Sequence, residues 1–303
     1  VSLSMSRVGV IGLGDMGSGL AKNLIEAGFD VAGLDLSEER RAAFVKMGGT
    51  AVATPAALAD DAEAVFIMVM NGGQVEAVLF GEDGVLETLS DDAAIILTAT
   101  IKPQEGREIG ARVIEAGKQI IDSPVSGGFP GAQGGSLTMM AAAPDALIAA
   151  KRHIMDAVSA NIHHVGTNPG DGQSVKACLQ SLIGSIFAAT FEASTLAAKA
   201  GISGQVLYDV FSTSGAGCGV ANTALGNIID RKFHNTGSHI STMHKDLTIA
   251  LGFGEELGVP LHTASTAMQL FHAGKTKYPD GDNWVVTRVL EEIVGAELHR
   301  MRG

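Results

Sequence analysis

RVGVIGLGDMG, residues 7–17, is the stretch whose reading decides the fold. An apolar, β-branched run enters a glycine turn, and a helical pattern, MGSGLAKNLIEAG (16–28), follows and closes at Gly28. Glycines at 12, 14 and 17 make the G-x-G-x-x-G spacing. Alone that spacing is weak; between a strand and a helix it marks a dinucleotide-binding turn. Gly12 would allow the tight turn, Gly14 would let a pyrophosphate reach the backbone, and Gly17 would let helix and strand pack closely. The backbone from Gly12 through Leu13, Gly14, Asp15 and Met16 to Gly17 is therefore the expected cofactor cradle, its N–H donors lying at a helix N-terminus. Asp35 ends the next apolar run, FDVAGLDL (29–36), at the distance where a carboxylate takes both ribose hydroxyls. It would repel a 2′-phosphate, which favours NAD over NADP. Arg40 and Arg41 are the nearby features that could host that phosphate instead.

The same rhythm continues outward. AEAVFIMVM (62–70), AAIILTAT (93–100), KQIIDSPV (118–125) and SLTMMAAA (136–143) are apolar runs separated by helical patterns. Continuous apolar strands alternating with helices imply an α/β fold, a parallel Rossmann-type doubly wound sheet covered on both faces. From about Gly172 the strand signals fade. SVKACLQSLIGSIFAATFEASTLAAKAG (174–201) reads as one long interdomain helix closing at Gly201, with further helices near 203–213, 239–257, 261–273 and 284–299. The expected organisation is a dinucleotide-binding domain over residues 5–168 and an all-α substrate and dimerisation domain over 169–303. Their boundary falls in the turn-rich HVGTNPGDG (164–172).

Composition bounds the function. A chain of 303 residues suits two domains. A net charge of -12 with pI about 5.1 disfavours nucleic acid and anionic membrane as partners. No run of eighteen apolar residues occurs. VSLSMSR lacks the pattern of a signal peptide and Met5 reads as the natural start, so a cytoplasmic protein is expected. Cys178 and Cys218 form no C-x-x-C and read as buried free thiols. None of the nine histidines makes an H-E-x-x-H, and adjacent His163 and His164 would diverge on a strand, so no metal is expected. Phe187, Phe191 and Trp284 read as packing residues.

A second glycine run, DSPVSGGFPGAQGGSLTMM (122–140), clusters five glycines between two strands. Bare N–H groups in such loops hold anions. A substrate carboxylate at Gly127 and Gly128, with the Ser126 hydroxyl, and a loop that merely needs positive φ are equal readings of the run. Lys176 and Gln180 share a helix face. A lysine is more often a solvated charge, but in a desolvated cleft it can act as acid or base.

Taken together, the motifs resemble the β-hydroxyacid dehydrogenase family, which includes 3-hydroxyisobutyrate dehydrogenase and tartronate semialdehyde reductase. IGLGDMGSGLAKNL resembles its cofactor motif, DSPVSGGFPGAQGGSLTMM its substrate signature, GDGQSVKACLQ (170–180) its catalytic motif, and HKDLTIAL (244–251) its Lys-Asp motif. TATIKP (98–103) and VMNGGQVEAVLFGEDGVL (69–86) resemble the loops near the nicotinamide and the adenosine. The resemblance implies hydride transfer from a small hydroxy acid, with Lys176 as general acid/base. Ser126, Gly127 and Gly128 would hold the substrate carboxylate, and Gln180 and Lys245 would complete the substrate site. Met70, Asn71, Thr100, Lys245 and Asp246 would join the cofactor contacts. Asp282, in PDGDNW, is either a pocket residue or a turn residue.

Where the family generally has asparagine four residues after the lysine, this chain has Gln180. That resembles the L-threonate dehydrogenase subgroup, which oxidises four-carbon sugar acids with NAD. The resemblance also implies a homodimer or homotetramer built through the helical domain. The competing readings are an NADPH-dependent reductase of glyoxylate, succinic semialdehyde or tartronate semialdehyde, and a non-catalytic dinucleotide-binding scaffold. Imine reductases resemble the same fold but generally lack the lysine.

Overall fold

The computed structural model describes residues 6–301. The expected start at Met5 and the stretch before it lie outside the described residues. By Cα proximity the chain divides into two compact units, Val1–Lys176 and Ala177–Gly303.

The first unit alternates as its sequence predicts, through β1 (Arg7–Ile11), α1 (Asp15–Glu26), β2 (Asp30–Leu34), α2 (Glu38–Lys46), β3 (Thr50–Ala51), α3 (Pro55–Ala59), β4 (Ala62–Ile67), α4 (Gly72–Phe80), β5 (Ala94–Leu97), α5 (Pro103–Glu115) and β6 (Gln119–Asp122). Then come β7 (Val125–Ser126), α6 (Gly128–Gln133), β8 (Leu137–Ala142), α7 (Asp145–Met155) and β9 (Ser159–Gly166). The strand order is β3-β2-β1-β4-β5-β6-β8-β7, with β9 on β8. From β3 to β6 every pairing is parallel. In this doubly wound order the winding reverses between β1 and β4, and a ligand crevice forms outside the C-terminal ends of those strands.

The expected wholly parallel sheet gives way past β6, where β8 runs antiparallel to β6 and β7. The β7–β8 link is residues 127–136, shorter than the crossover of a dozen or more residues that a parallel return needs. β9 was not legible as a strand. SANIHHVG has no continuous apolar run and half of its residues are exposed, because it flanks the sheet at its end.

The period-2 alternation of the strands builds two cores. Val8, Val10, Phe66 and Ile96 point to one face, against Leu20 and Leu24 of α1 and Ile154 of α7. Ile11, Val65, Ile67, Ile95 and Leu97 point to the other, against Leu58 of α3, Leu79 of α4 and Val113 of α5.

The long helix α8 (Asp171–Lys199) runs without interruption across the division between the units. α9 (Gly204–Thr213), α10 (Gly219–Ile229), α11 (Ile240–Leu257), α12 (His262–Lys277) and α13 (Val286–Val294) follow. α10 lies outside the sequence expectation because GVANTALGNII mixes glycines, Asn and Thr into its apolar pattern. The second unit has its own core, with Phe187 and Phe191 of α8 stacked at 6.1 Å and Trp284 edge-on to Phe187 at 5.4 Å. Among the described residues α8 is one helix long and apolar enough to cross a bilayer, with a window of mean hydropathy 1.3 that is 44% buried. Its Phe187, Phe191 and Ala197 lie in this core. Both cysteines are exposed, against expectation. Cys178 lies on the outward stripe of α8 with Val175 and Leu182, and Cys218 caps α10, its Sγ accepting from Ala221 N–H.

Candidate active site

The glycine turn closes the C-terminal end of β1 at the winding reversal. Gly12 has φ +91°, and a Cβ there would lie 2.2 Å from the Met68 carbonyl oxygen at the end of β4. Gly17, in the first turn of α1, approaches more closely still: its Cβ would lie 1.7 Å from Gly12 O. Only glycine fits either place, and the result is a helix start pressed onto a strand end. No side chain caps α1 at Gly14, so the turn suits an anion at the helix N-terminus. Leu13, Gly14, Asp15, Ser18, Arg40 and Phe44 line a recess of about 200 Å³ beside it. Met16 packs partly buried against the first core.

Asp35 lies just beyond β2 and already serves the scaffold. Its Oδ2 accepts Leu13 N–H at 2.8 Å and its Oδ1 accepts Ser37 N–H at 2.8 Å. Each oxygen has a further lone pair for a ribose hydroxyl. Arg40 stands 3.5 Å from Oδ2, and Arg41 donates to the Asp35 carbonyl at 2.6 Å. Past β4, Met70 is half-exposed, and Asn71 caps α4 by accepting Gln74 N–H at 2.9 Å. Thr100 lies just past β5, half-buried.

Lys176 is buried, 6% exposed, and its Nζ donates to Val125 O at 2.8 Å. It is no solvated surface lysine. The residue after Val125 is Ser126, on β7, followed by Gly127 at φ +132° and Gly128 at φ +59°. The first unit thus brings Lys176 to the glycine-rich loop.

Two residues absent from the sequence expectation hold this arrangement. Asp122, at the end of β6 and fully buried, accepts Gly170 N–H at 2.8 Å and Gln173 N–H at 3.2 Å through Oδ2. Its Oδ1 accepts Gln173 Nε2–H at 2.8 Å. Burial pushes the carboxyl up to about 6, although these donors pull the other way. Gln173, also fully buried, donates from Nε2 to Ala99 O and accepts Ile101 N–H through Oε1, both at 3.0 Å. A charged residue ending an apolar strand, as in QIID, is the signal that could have found Asp122. Gln173 carries no comparable signal.

The second unit gathers the other candidates. Gln180 is buried, one turn beyond Lys176 on α8, and its Nε2 donates to Asp246 Oδ2. Lys245 pairs with Asp246 Oδ1 at 2.9 Å. Asp282 accepts from the backbone N–H and hydroxyl of Thr236 at 2.6 and 2.7 Å and so ties down a loop. Among the described residues no three His, Cys, Asp or Glu side chains gather as a metal site would need.

Residues 7–166 match the family described as the NAD binding domain of 6-phosphogluconate dehydrogenase. Residues 170–290 match NAD-binding of NADP-dependent 3-hydroxyisobutyrate dehydrogenase. The chain is 33% identical to L-threonate dehydrogenase of Escherichia coli O6:H1, covering 95% of each chain. It is also 33% identical to L-threonate dehydrogenase of Cupriavidus necator, covering 97% of this chain and 98% of the other. A crystal structure of 3-hydroxyisobutyrate dehydrogenase from Salmonella typhimurium superposes with a TM-score of 0.86 at 31% identity, covering 94% and 99% of the two chains. The chain belongs to the β-hydroxyacid dehydrogenase family of 3-hydroxyisobutyrate dehydrogenase-like, NAD(P)-dependent oxidoreductases acting on CH–OH donors.

Proposed function

We propose that the chain oxidises a small hydroxy acid of the four-carbon sugar-acid type, such as L-threonate, with NAD. The observation that carries this reading is the buried Lys176 amine held at the start of the SGG loop. The nicotinamide, when bound, supplies the hydride acceptor. Ser126, Gly127 and Gly128 receive the substrate carboxylate, in a loop whose two consecutive glycines of positive φ leave the backbone bare of side chains for an anion. Lys176, as the neutral amine, keeps one N–H on Val125 O and takes the substrate hydroxyl proton with its lone pair. The carbinol carbon loses hydride as that proton leaves, and a ketone or aldehyde results. In reverse the ammonium returns the proton.

Gln180 sharpens the choice of substrate. Its Nε2 donates to the Asp246 carboxylate and, at 3.9 Å, to Met243 Sδ, so the group it can offer a ligand is Oε1, an acceptor. An acceptor pairs with a hydroxyl rather than with a second carboxylate, which favours a polyhydroxy acid. Lys245 neutralises Asp246 and completes the proposed substrate site. Met70, Asn71, Thr100 and the turn from Gly12 to Gly17 would hold the cofactor. Asp35 favours NAD, whereas Arg40 beside it supports a second reading, NADPH-dependent reduction of a small aldehyde. We further propose that residues 5–168 form a dinucleotide-binding domain that also contributes the Ser126–Gly128 loop and 169–303 a substrate and dimerisation domain, in a cytoplasmic homodimer or homotetramer. Exposed Leu182 and Leu196 on α8 support assembly through the second part.

The test is turnover by the purified protein of threonate isomers, 3-hydroxyisobutyrate, glycerate and 6-phosphogluconate, with NAD and separately NADP. Threonate turnover with NAD is expected. Turnover with NADP alone would overturn the cofactor assignment, and turnover of 3-hydroxyisobutyrate in preference to every threonate would overturn the substrate.

A further inference from the structure

The start of α8 is fixed more firmly than a surface helix requires. Gly172 seats it so closely that a Cβ would lie 2.6 Å from Met140 O and 2.8 Å from Asp122 O. The Asp122 carboxylate accepts from two backbone N–H groups at this helix start, where an anion is favoured by the helix dipole. Gln173 spends all three of its side-chain bonds at once. One goes to Asp122, one to the carbonyl before Thr100, and one to the N–H after it. The amide therefore brackets Thr100 between two bonds from a single rigid group. Three residues along α8, on the neighbouring side of the same turn, is Lys176.

We propose that Gln173 is a positioning residue that locks the Thr100 loop to the turn of α8 bearing Lys176, with Asp122 fixing which way its amide faces. This rests on the reading of Lys176 as the base and of Thr100 as a nicotinamide contact. Its consequence is that the distance between the proton acceptor and the hydride acceptor is set through one side chain. An amide suits the place because the bracket needs an acceptor for Ile101 N–H and two donors, for Ala99 O and Asp122 Oδ1. No other side chain of this length supplies that set. Glutamate would present oxygen to both acceptors. Methionine keeps the shape and makes none of the bonds.

The test compares full-length wild type, Gln173→Met, Gln173→Glu and Lys176→Met with NAD and L-threonate. It pairs steady-state kinetics from pH 6 to 10 with hydrogen–deuterium exchange of peptides covering residues 98–103 and 168–176. In Gln173→Met both peptides should exchange faster together while the 12–17 turn is unchanged. kcat should fall by about 10- to 100-fold with KM within about threefold, as expected when positioning rather than binding is lost. Gln173→Glu keeps the acceptor for Ile101 N–H and, while it and Asp122 share a proton, the link to Asp122, but loses the donor to Ala99 O. Its kcat relative to wild type should therefore decline as pH rises and both carboxyls ionise. A flat ratio across the pH range, unchanged kcat in Gln173→Met, or faster exchange in only one of the two peptides would overturn the proposal. Full turnover by Lys176→Met would instead overturn the assignment of the base, and the exchange measurements would still read the coupling.

Discussion

The Nζ of Lys176 donates to the carbonyl oxygen of Val125 at 2.8 Å, so the amine of a helix is bonded to the strand residue that precedes Ser126. A lysine 6% exposed is not kept for solubility. Lys176→Met keeps the volume and removes the proton acceptor. Turnover of the best acid in the panel should fall by about 10²- to 10⁴-fold, the range for a lost general base. Loss of the bond to Val125 O should lower stability by about 1 kcal/mol. NAD binding, read by calorimetric titration, should persist. Loss of NAD binding in step with turnover would mark Lys176 as a scaffold residue.

Asp35, which we propose favours NAD, also holds two loops together. Asp35→Ala leaves Leu13 N–H and Ser37 N–H without their acceptors, at a cost of about 1–3 kcal/mol in urea unfolding. The ratio of kcat/KM with NAD to that with NADP should fall at least about tenfold, near 1.4 kcal/mol. The repelling carboxylate is gone, while Arg40 and Arg41 stay beside the site. An unchanged ratio would show that Asp35 is a loop clamp only, and that selectivity resides elsewhere.

Asp122 gives the protein a pH dependence of unusual sign. Its carboxyl is raised from 3.8 to about 6, so between those values the folded state holds a proton that the unfolded chain has released. Its contribution is present below about 3.8 and is lost as pH rises through 6, by roughly 3 kcal/mol in all. Glu63, Asp91 and Asp230 act the other way: their carboxyls lie below the ordinary range, and what they contribute is lost in acid. The measurement is therefore differential, with urea unfolding of wild type and Asp122→Asn at pH 4.5 and 7. The gap between them should change by a few kcal/mol across that interval, with wild type losing ground on the variant as pH rises. A gap that stays constant would show that the carboxyl titrates in its ordinary range.

How much of this was legible depends on whether a residue's role leaves a pattern in the chain around it. The turn at Gly12–Gly17 could be read because a strand, a glycine spacing and a helix adjoin, and the structure explains Gly12 and Gly17 each by a carbonyl it must approach. The doubly wound sheet could be read because buried parallel strands are apolar throughout. β9 could not, because SANIHHVG carries no continuous apolar run and half of its residues are exposed. The cysteines were misjudged because a helical pattern of mostly small and apolar residues does not say which stripe faces outward. Asp122 and Gln173 escaped for another reason. Their partners are backbone groups of Ala99, Ile101 and Gly170, which the chain brings together only by folding. No local spacing records such a contact.

Gln180 offers the sharpest discrimination among substrates. Asp246 draws its Nε2, which leaves the carbonyl oxygen as the ligand-facing group in the proposed reading. Gln180→Asn withdraws the amide by one methylene, about 1.5 Å, which breaks the bond to Asp246 and the bond to a substrate hydroxyl together. A trihydroxy acid should suffer and a monohydroxy acid should not, because only the former has a spare hydroxyl to satisfy. The ratio of kcat/KM for L-threonate to that for 3-hydroxyisobutyrate should drop about 10- to 100-fold, mostly through KM for threonate. Asp246→Ala should produce part of the same loss by letting the amide turn. The double variant should then cost less than the sum of the two, because both changes act on one interaction. Strict additivity would mean that Asp246 does not orient Gln180. An unchanged substrate ratio would mean that the glutamine is only filling space.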